Sequence, residues 1–233
     1  MALYCDMYKV SDQTKCILKD ECKDFKCSEF CLRCYKFYYY VNKSNLIKEY
    51  MRMPINTIDT DIDSLNCRIL TNIGDDIVNF IDMGNNLLIC GNNAGSGKTF
   101  WATKIMQKYI NKVSIGNVKD NLLIFISEVE LIHLIEENRF TKDYEILDEY
   151  MNCNLLTIDD IGMFKKTDFQ QQELFRLMDY RVTHRRTTIC TSNLVTKIQY
   201  TEALGERLCS RIYDTSLIVE MKGNSRRCVQ WSK

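Results

Sequence analysis

The chain has 233 residues, enough for one or two domains with a real core. Its 31 basic and 31 acidic residues cancel, which excludes a wholesale basic coat and leaves any nucleic-acid contact to local patches. A hydrophobic fraction of 45%, a charged fraction of 27% and a single proline describe a folded protein and not a proline-rich or disordered stalk. No apolar run approaches the roughly 18 residues of a membrane span. Residues 1–10 lack a basic-then-apolar leader, so the expectation is a cytoplasmic protein with no membrane partner.

Six of the 12 cysteines fall in the first 34 residues: Cys5, Cys16, Cys22, Cys27, Cys31 and Cys34. In a reducing compartment, thiols this close together bind metal more readily than they bridge. Zn²⁺ accepts four thiolates in a tetrahedron, and its binding energy can fold a segment too small for a core of its own. Cys27 and Cys31, four apart, share a face if the segment is helical. The reading favours Cys16, Cys22, Cys27 and Cys31 as ligands, with Cys34 as the substitute. The other six cysteines stand singly in apolar contexts, as Cys90 and Cys190 do, and read as packing groups. The aromatic run Tyr35, Phe37, Tyr38, Tyr39 and Tyr40 that follows fits the core of a small N-terminal domain, and a partner contact is its other possible use.

Residues 1–50 therefore read as a Cys-rich zinc-binding module. Residues 51–83 read as linker and lead-in, with the only proline, Pro54, and the aspartates Asp59, Asp61 and Asp63 marking the best break at 52–66. Residues 84–233 read as the main domain. There, short apolar runs at 87–90, 122–126, 155–158, 188–191 and 217–219 predict buried strands. Amphipathic stretches at 98–111, 127–137, 169–185 and 201–213 predict the helices between them. Ser127 and Glu130 make a capping box for the second of these. The alternation predicts an α/β fold, a parallel sheet with helices on both faces.

After the first strand comes Gly91-Asn92-Asn93-Ala94-Gly95-Ser96-Gly97-Lys98-Thr99. A nucleoside triphosphate needs inward amide N–H groups, a cation against its outer phosphates and a hydroxyl for Mg²⁺, all at a helix N-terminus. Gly95 and Gly97 allow close approach, Lys98 reaches the β and γ phosphates, and Thr99 ligates Mg²⁺. The cradle runs through Asn93, Ala94, Gly95, Ser96, Gly97, Lys98, Thr99 and Phe100. The strict pattern is broken at Asn92, where a glycine is usual, and asparagine tolerates the left-handed region. The third strand ends Ile158-Asp159-Asp160-Ile161-Gly162. Two carboxylates there are costly unless they bind metal or emerge at the carboxyl edge of the sheet. Asp159 would hold Mg²⁺ through water and Asp160 would orient the attacking water.

Gly97-Lys98-Thr99, the Asp159-Asp160 run, Thr191-Ser192-Asn193-Leu194, and Leu204-Gly205-Glu206-Arg207-Leu208-Cys209-Ser210-Arg211 together resemble AAA+ ATPases. They are most similar to replicative-helicase loaders of the DnaC and DnaI type, the phage-borne versions closest, whose relatives include the IstB transposition ATPases. The resemblance implies that Asn193 is a polar sensor near the γ phosphate. It also implies that Arg211, with Arg207 as the alternative, is an arginine finger offered to a neighbouring subunit. In Gly223-Asn224-Ser225-Arg226-Arg227 it points to Arg227 as a second sensor. It implies ATP and Mg²⁺ as cofactors, and as partners a replicative DNA helicase gripped by the N-terminal module, single-stranded DNA and further copies of the chain. Glu commonly stands where Asp160 does, and the shorter side chain implies slow hydrolysis. The chain ends at Lys233, too soon after Arg227 for a helical lid. For DNA, the residues singled out are Lys165-Lys166 beside Phe164, and Arg185-Arg186. His133 and His184 read as ordinary helix residues. An IstB-like partner of a transposase on duplex DNA, and a nucleotide-gated adaptor without turnover, remain the other readings.

Overall fold

A computed structural model describes residues 32–52, 60–114, 123–141 and 145–224 of the chain. Five strands form one sheet: β1 (Asn86–Cys90), β2 (Leu123–Ser127), β3 (Leu155–Asp159), β4 (Thr187–Ser192) and β5 (Ser216–Glu220). Their spatial order is β2-β3-β4-β1-β5, and each neighbouring pair is parallel. All five predicted strands are present, displaced at their ends by no more than a residue or two, because continuous apolar runs are what a sheet buried on both faces requires.

Strand residues divide alternately between two apolar clusters, as the two-residue repeat dictates. Leu87, Ile89, Leu155 and Ile189 enter one cluster, with Trp101, Ile105 and Met106 of α5. Leu88, Cys90, Leu156, Ile158 and Cys190 enter the other. The first face carries α1 (Leu32–Lys43), α2 (Lys48–Arg52), α3 (Thr60–Asp75), α4 (Ile77–Asp82) and α5 (Lys98–Val113). The second carries α6 (Glu128–Thr141), α7 (Glu145–Asn152), α8 (Asp168–Thr183), α9 (Lys197–Leu204) and α10 (Glu206–Cys209).

Three features depart from the sequence reading. Thr60–Asp75 and Ile77–Asp82, expected to be linker and lead-in, are helices, and Leu70, Ile73 and Ile77 enter the first core cluster. Residues 32–52, assigned to the N-terminal module, pack into that same cluster through Phe37, Tyr40, Val41, Leu46 and Met51. Ser44, in the turn after α1, meets the β2 edge of the sheet, its carbonyl accepting from Phe125 N at 2.8 Å. The single helix expected at 201–213 is interrupted at Gly205 (φ 76°), and its last part is a π-helical turn at Ser210–Asp214. α7 was not anticipated. It is a short helix whose last-turn carbonyls are satisfied from outside, by Arg181.

Arg181 on α8 is fully buried. Its Nη1 donates to the carbonyls of Tyr150 (2.7 Å), Met151 (3.1 Å) and Cys153 (3.0 Å). Nη2 donates to Thr187 O, and Nε to Thr188 Oγ1 at 2.9 Å. No carboxylate is among these acceptors. The partial negative charge at the end of α7 and five oriented oxygens hold the cation, which ties α7, α8 and β4 together. The lone cysteines Cys67, Cys90, Cys153, Cys190 and Cys209 are reduced and buried, as expected for packing groups. Burial pushes the Cys190 thiol up to about 12, which leaves it inert.

Candidate functional site

β1, β3 and β4 are adjacent and parallel, so the residues that follow them meet at one edge of the sheet. The turn after β1 uses three left-handed glycines: Gly91 (φ 153°), Gly95 (φ 82°) and Gly97 (φ 103°). Gly97 is the N-cap of α5 and offers no side chain, so the first amides of that helix have no side-chain cap. Uncapped N–H groups at a helix N-terminus, cradled by a left-handed turn, suit an anion. Lys98 is 95% buried, and its Nζ donates to Gly91 O (2.8 Å), Asn93 O (3.0 Å) and Ser96 Oγ (3.4 Å). Those acceptors are the loop itself, so the ammonium sits inside the cradle. Ser96 and Phe100 are buried and shape the loop, whereas Ala94 is exposed on its rim.

Thr99 Oγ1 donates to Asp159 Oδ2 at 3.2 Å, and Thr191 Oγ1 donates to Asp159 Oδ1 at 2.5 Å. Burial holds the Asp159 carboxyl above the usual carboxylate range, and the neighbouring Asp160 charge adds to the effect. Hydrogen bonds from Thr191 and Thr99, with the Lys98 charge, oppose it. A carboxylate that resists its own charge, beside a threonine hydroxyl and a loop built for phosphate, is the hard-oxygen donor set that Mg²⁺ takes. The residues present fit the ion. Thr99 and Asp159 would hold it, and bound there it would draw charge from the phosphate oxygens.

Asp160 takes the left-handed region (φ 56°), unusual for a residue with a side chain. The conformation is held by two bonds from β4: Asp160 N donates to Thr191 Oγ1 (2.9 Å) and Ile161 N to Thr191 O (2.8 Å). Its Oδ1 accepts from Asn193 Nδ2 at 3.4 Å. Lys98, Thr99, Asp159, Asp160 and Asn193 thus lie together at this edge of the sheet.

Arg211 lies in the π-helical turn, its Nε 2.6 Å from Asp179 Oδ1 and its guanidinium 5.9 Å from the Phe175 ring. Arg207 covers the same ring at 4.6 Å. Both arginines therefore belong to one surface formed by α8, α10 and the π-helical turn. Arg227, and the cysteines expected to bind zinc, Cys16, Cys22, Cys27 and Cys31, lie outside the described residues. Cys34 falls in the first turn of α1. Among the described residues there is no cluster of three or more metal-ligating side chains and no helix long and apolar enough to cross a membrane.

The DNA candidates separate. Lys166 is not a free basic group. Its side chain is 2% exposed and pairs with the wholly buried Glu128 at 2.7 Å. Glu128 also accepts from Gly162 N (3.0 Å) and Met163 N (3.1 Å), and Lys166 Nζ donates to Phe164 O (3.0 Å). This strap fixes the loop after Asp160 and leaves Met163, Phe164 and Lys165 exposed at its tip. Arg185 and Arg186 precede β4 and so lie at the opposite edge of the sheet from the phosphate loop. The roles of Glu128 and Thr191 were not legible in the sequence. Glu128 looks like any acidic first-turn residue, and Thr191 like a buried strand position.

A parallel sheet in this order, with a glycine-rich loop after β1, paired aspartates after β3 and Asn193 after β4, is a P-loop fold of the AAA+ kind. The sequence matches the profile of the IstB-like ATP binding protein family over residues 40–233, and the chain belongs to that family. No curated protein matches it significantly. Among solved structures, the DnaC helicase loader is 21% identical with a TM-score of 0.63, covering 76% of this chain and 100% of that one. DnaI is 19% identical with a TM-score of 0.59, covering 78% and 94%. The replication initiator DnaA bound to AMPPCP and single-stranded DNA is 19% identical with a TM-score of 0.61. That likeness covers 77% of this chain, which spans only 51% of the initiator. At these identities the likeness is one of fold.

Proposed function

We propose that this chain is an Mg-ATP-dependent loader that binds a replicative DNA helicase and single-stranded DNA and delivers the helicase when replication starts. The observation that carries the reading is the junction of Thr99 with Asp159 beneath the phosphate loop, 3.2 Å apart at the carboxyl edge of a loader-like sheet. Lys98 would leave the loop carbonyls for the outer phosphates, a short swing for a flexible ammonium. Asp160, aimed by β4 and by Asn193, would orient the attacking water. Its short side chain makes turnover slow, more timer than motor. Arg211 or Arg207, displayed beside Phe175, would complete a neighbouring copy's site, with Arg227 as a second sensor. The clustered cysteines would hold Zn²⁺ in a module that grips the helicase. The exposed Phe164 and Lys165 supply an aromatic face and a charge for single-stranded DNA, close to the nucleotide.

Membership of the IstB-like family favours a second reading, a transposase partner that acts on duplex DNA. Affinity capture from host lysate, with and without residues 1–50, separates the two. A replicative helicase recovered only by the full chain supports the loader. A transposase in its place, with preference for duplex DNA, reverses the assignment. Steady-state ATPase rates of Lys98→Ala and Arg211→Ala separate a cross-subunit enzyme, which loses activity in both, from an adaptor without turnover.

A further inference from the structure

Asp63 is 1% exposed, a carboxylate buried far in sequence from every motif above. The helical path of α3 breaks at this residue (φ −111°, ψ 22°). Both of its oxygens are used: Lys222 N donates to Oδ1 at 2.9 Å and Gly223 N to Oδ2 at 2.8 Å. On the other side of the same segment, Asn93 Nδ2 of the phosphate loop donates to Lys222 O and Gly223 O, each at 3.2 Å. Lys222 C=O and Gly223 N–H belong to one peptide unit, and a peptide unit is planar and stiff. One plane therefore joins Asp63 to Asn93, and the bond to an ionised acceptor at its N–H end strengthens the carbonyl as an acceptor at the other.

The rest of the segment is held as firmly. Met221 N donates to Cys90 O at 2.7 Å, and Asn66 Nδ2 to Glu220 O at 2.7 Å. Met221 O lies 2.2 Å from where a Cβ on Gly91 would stand, so only glycine fits beneath it. Asn93 O in turn accepts from Lys98 Nζ at 3.0 Å.

We propose that Asp63 is a positioning residue for nucleotide binding: acting through the peptide between Lys222 and Gly223, it fixes Asn93 and with it the phosphate loop around Lys98. The inference rests on the loop being an ATP site. It assigns a role to a residue that composition alone places in a linker.

Steady-state ATPase kinetics and titration with a non-hydrolysable ATP analogue, on the full chain, test it. Asp63→Asn keeps the volume and one acceptor. It is expected to raise KM and the analogue's Kd about ten-fold, the effect of losing one charge-assisted bond. kcat should stay within about two-fold, since no transition-state contact is removed. Asn93→Ala should raise KM similarly, and the double variant should fall short of the product of the two, because both act on one peptide. Asp75→Asn, at the exposed end of the same helix, is the control without effect. Unchanged KM and Kd in folded Asp63→Asn, or full multiplicativity in the double variant, overturns the proposal. So does a fall in melting temperature with KM unmoved. Should Asp63→Asn fail to fold, an unchanged KM in Asn93→Ala overturns it alone. A wild type that binds no nucleotide sinks the ATP-site reading itself; a wild type that binds, with Asp63→Asn binding equally, sinks only this inference.

Discussion

Two buried cations at opposite edges of the sheet have opposite surroundings. Arg181 is held by five oxygens drawn from α7, the residue after it, and β4. Lys98 donates to three acceptors of its own loop, at distances up to 3.4 Å. A planar guanidinium with fixed donors joins elements that must not move, and a compact ammonium on a flexible stem can change partners at little cost. The chain uses the first as a rivet and the second as a hand, and a sequence that shows only two basic residues does not announce the difference.

Substitutions sharpen this contrast. Arg181→Ala orphans the α7 carbonyls and opens a cavity. It should cost about 3–5 kcal/mol, read as a fall in the denaturant midpoint. A loss under about 1 kcal/mol, the value of an exposed pair, would remove the rivet from the account. Lys98→Ala should do the reverse. ATP turnover is expected to fall on the order of 10²–10³-fold, as for loss of one preorganised charge contact, with the midpoint nearly unmoved.

Asp159 is the anionic counterpart. Its folded pKa lies above the unfolded one, so stability falls as pH rises from the unfolded value through the folded one, and above that window the ionised form carries its full cost. Asp159→Asn should therefore melt higher than the wild type without ligand. Mg-ATP should raise the wild type's melting temperature and leave the variant's where it was. Equal shifts in both would detach Asp159 from the metal.

The smallest effect belongs to a third buried cation. Lys104 on α5 donates to Met51 O at 2.8 Å and Gln107 Oε1 at 3.2 Å, joining α2 to α5. Burial pushes its pKa down to about 8. Between that value and its ordinary 10.5, the unfolded chain binds the extra proton, so stability should rise with pH across this window. Lys104→Met should abolish that rise in a series of denaturation curves.

Strands, the phosphate loop and the paired aspartates were legible because each is a local pattern: an apolar run, glycines at fixed spacing, carboxylates at a strand end. The capping box at α6 was equally local, and it forms, with Ser127 Oγ accepting from Glu130 N at 3.2 Å. What escaped depends on residues far apart in the chain. Lys166 looked like half of a basic pair until Glu128, 38 positions earlier, was found beneath it. The aspartates near Pro54 looked like linker, yet Asp63 is bonded 159 and 160 residues downstream. Residues 201–213 kept a helical pattern through Gly205, and only the left-handed φ there shows where the helix ends.

The most direct test of the central claim is calorimetric titration of the full chain with ATP and Mg²⁺, beside Lys98→Ala. The account predicts one nucleotide bound per wild-type chain, dependent on Mg²⁺, and no measurable binding by the variant. No heat from folded wild type, or equal binding by both proteins, would contradict it.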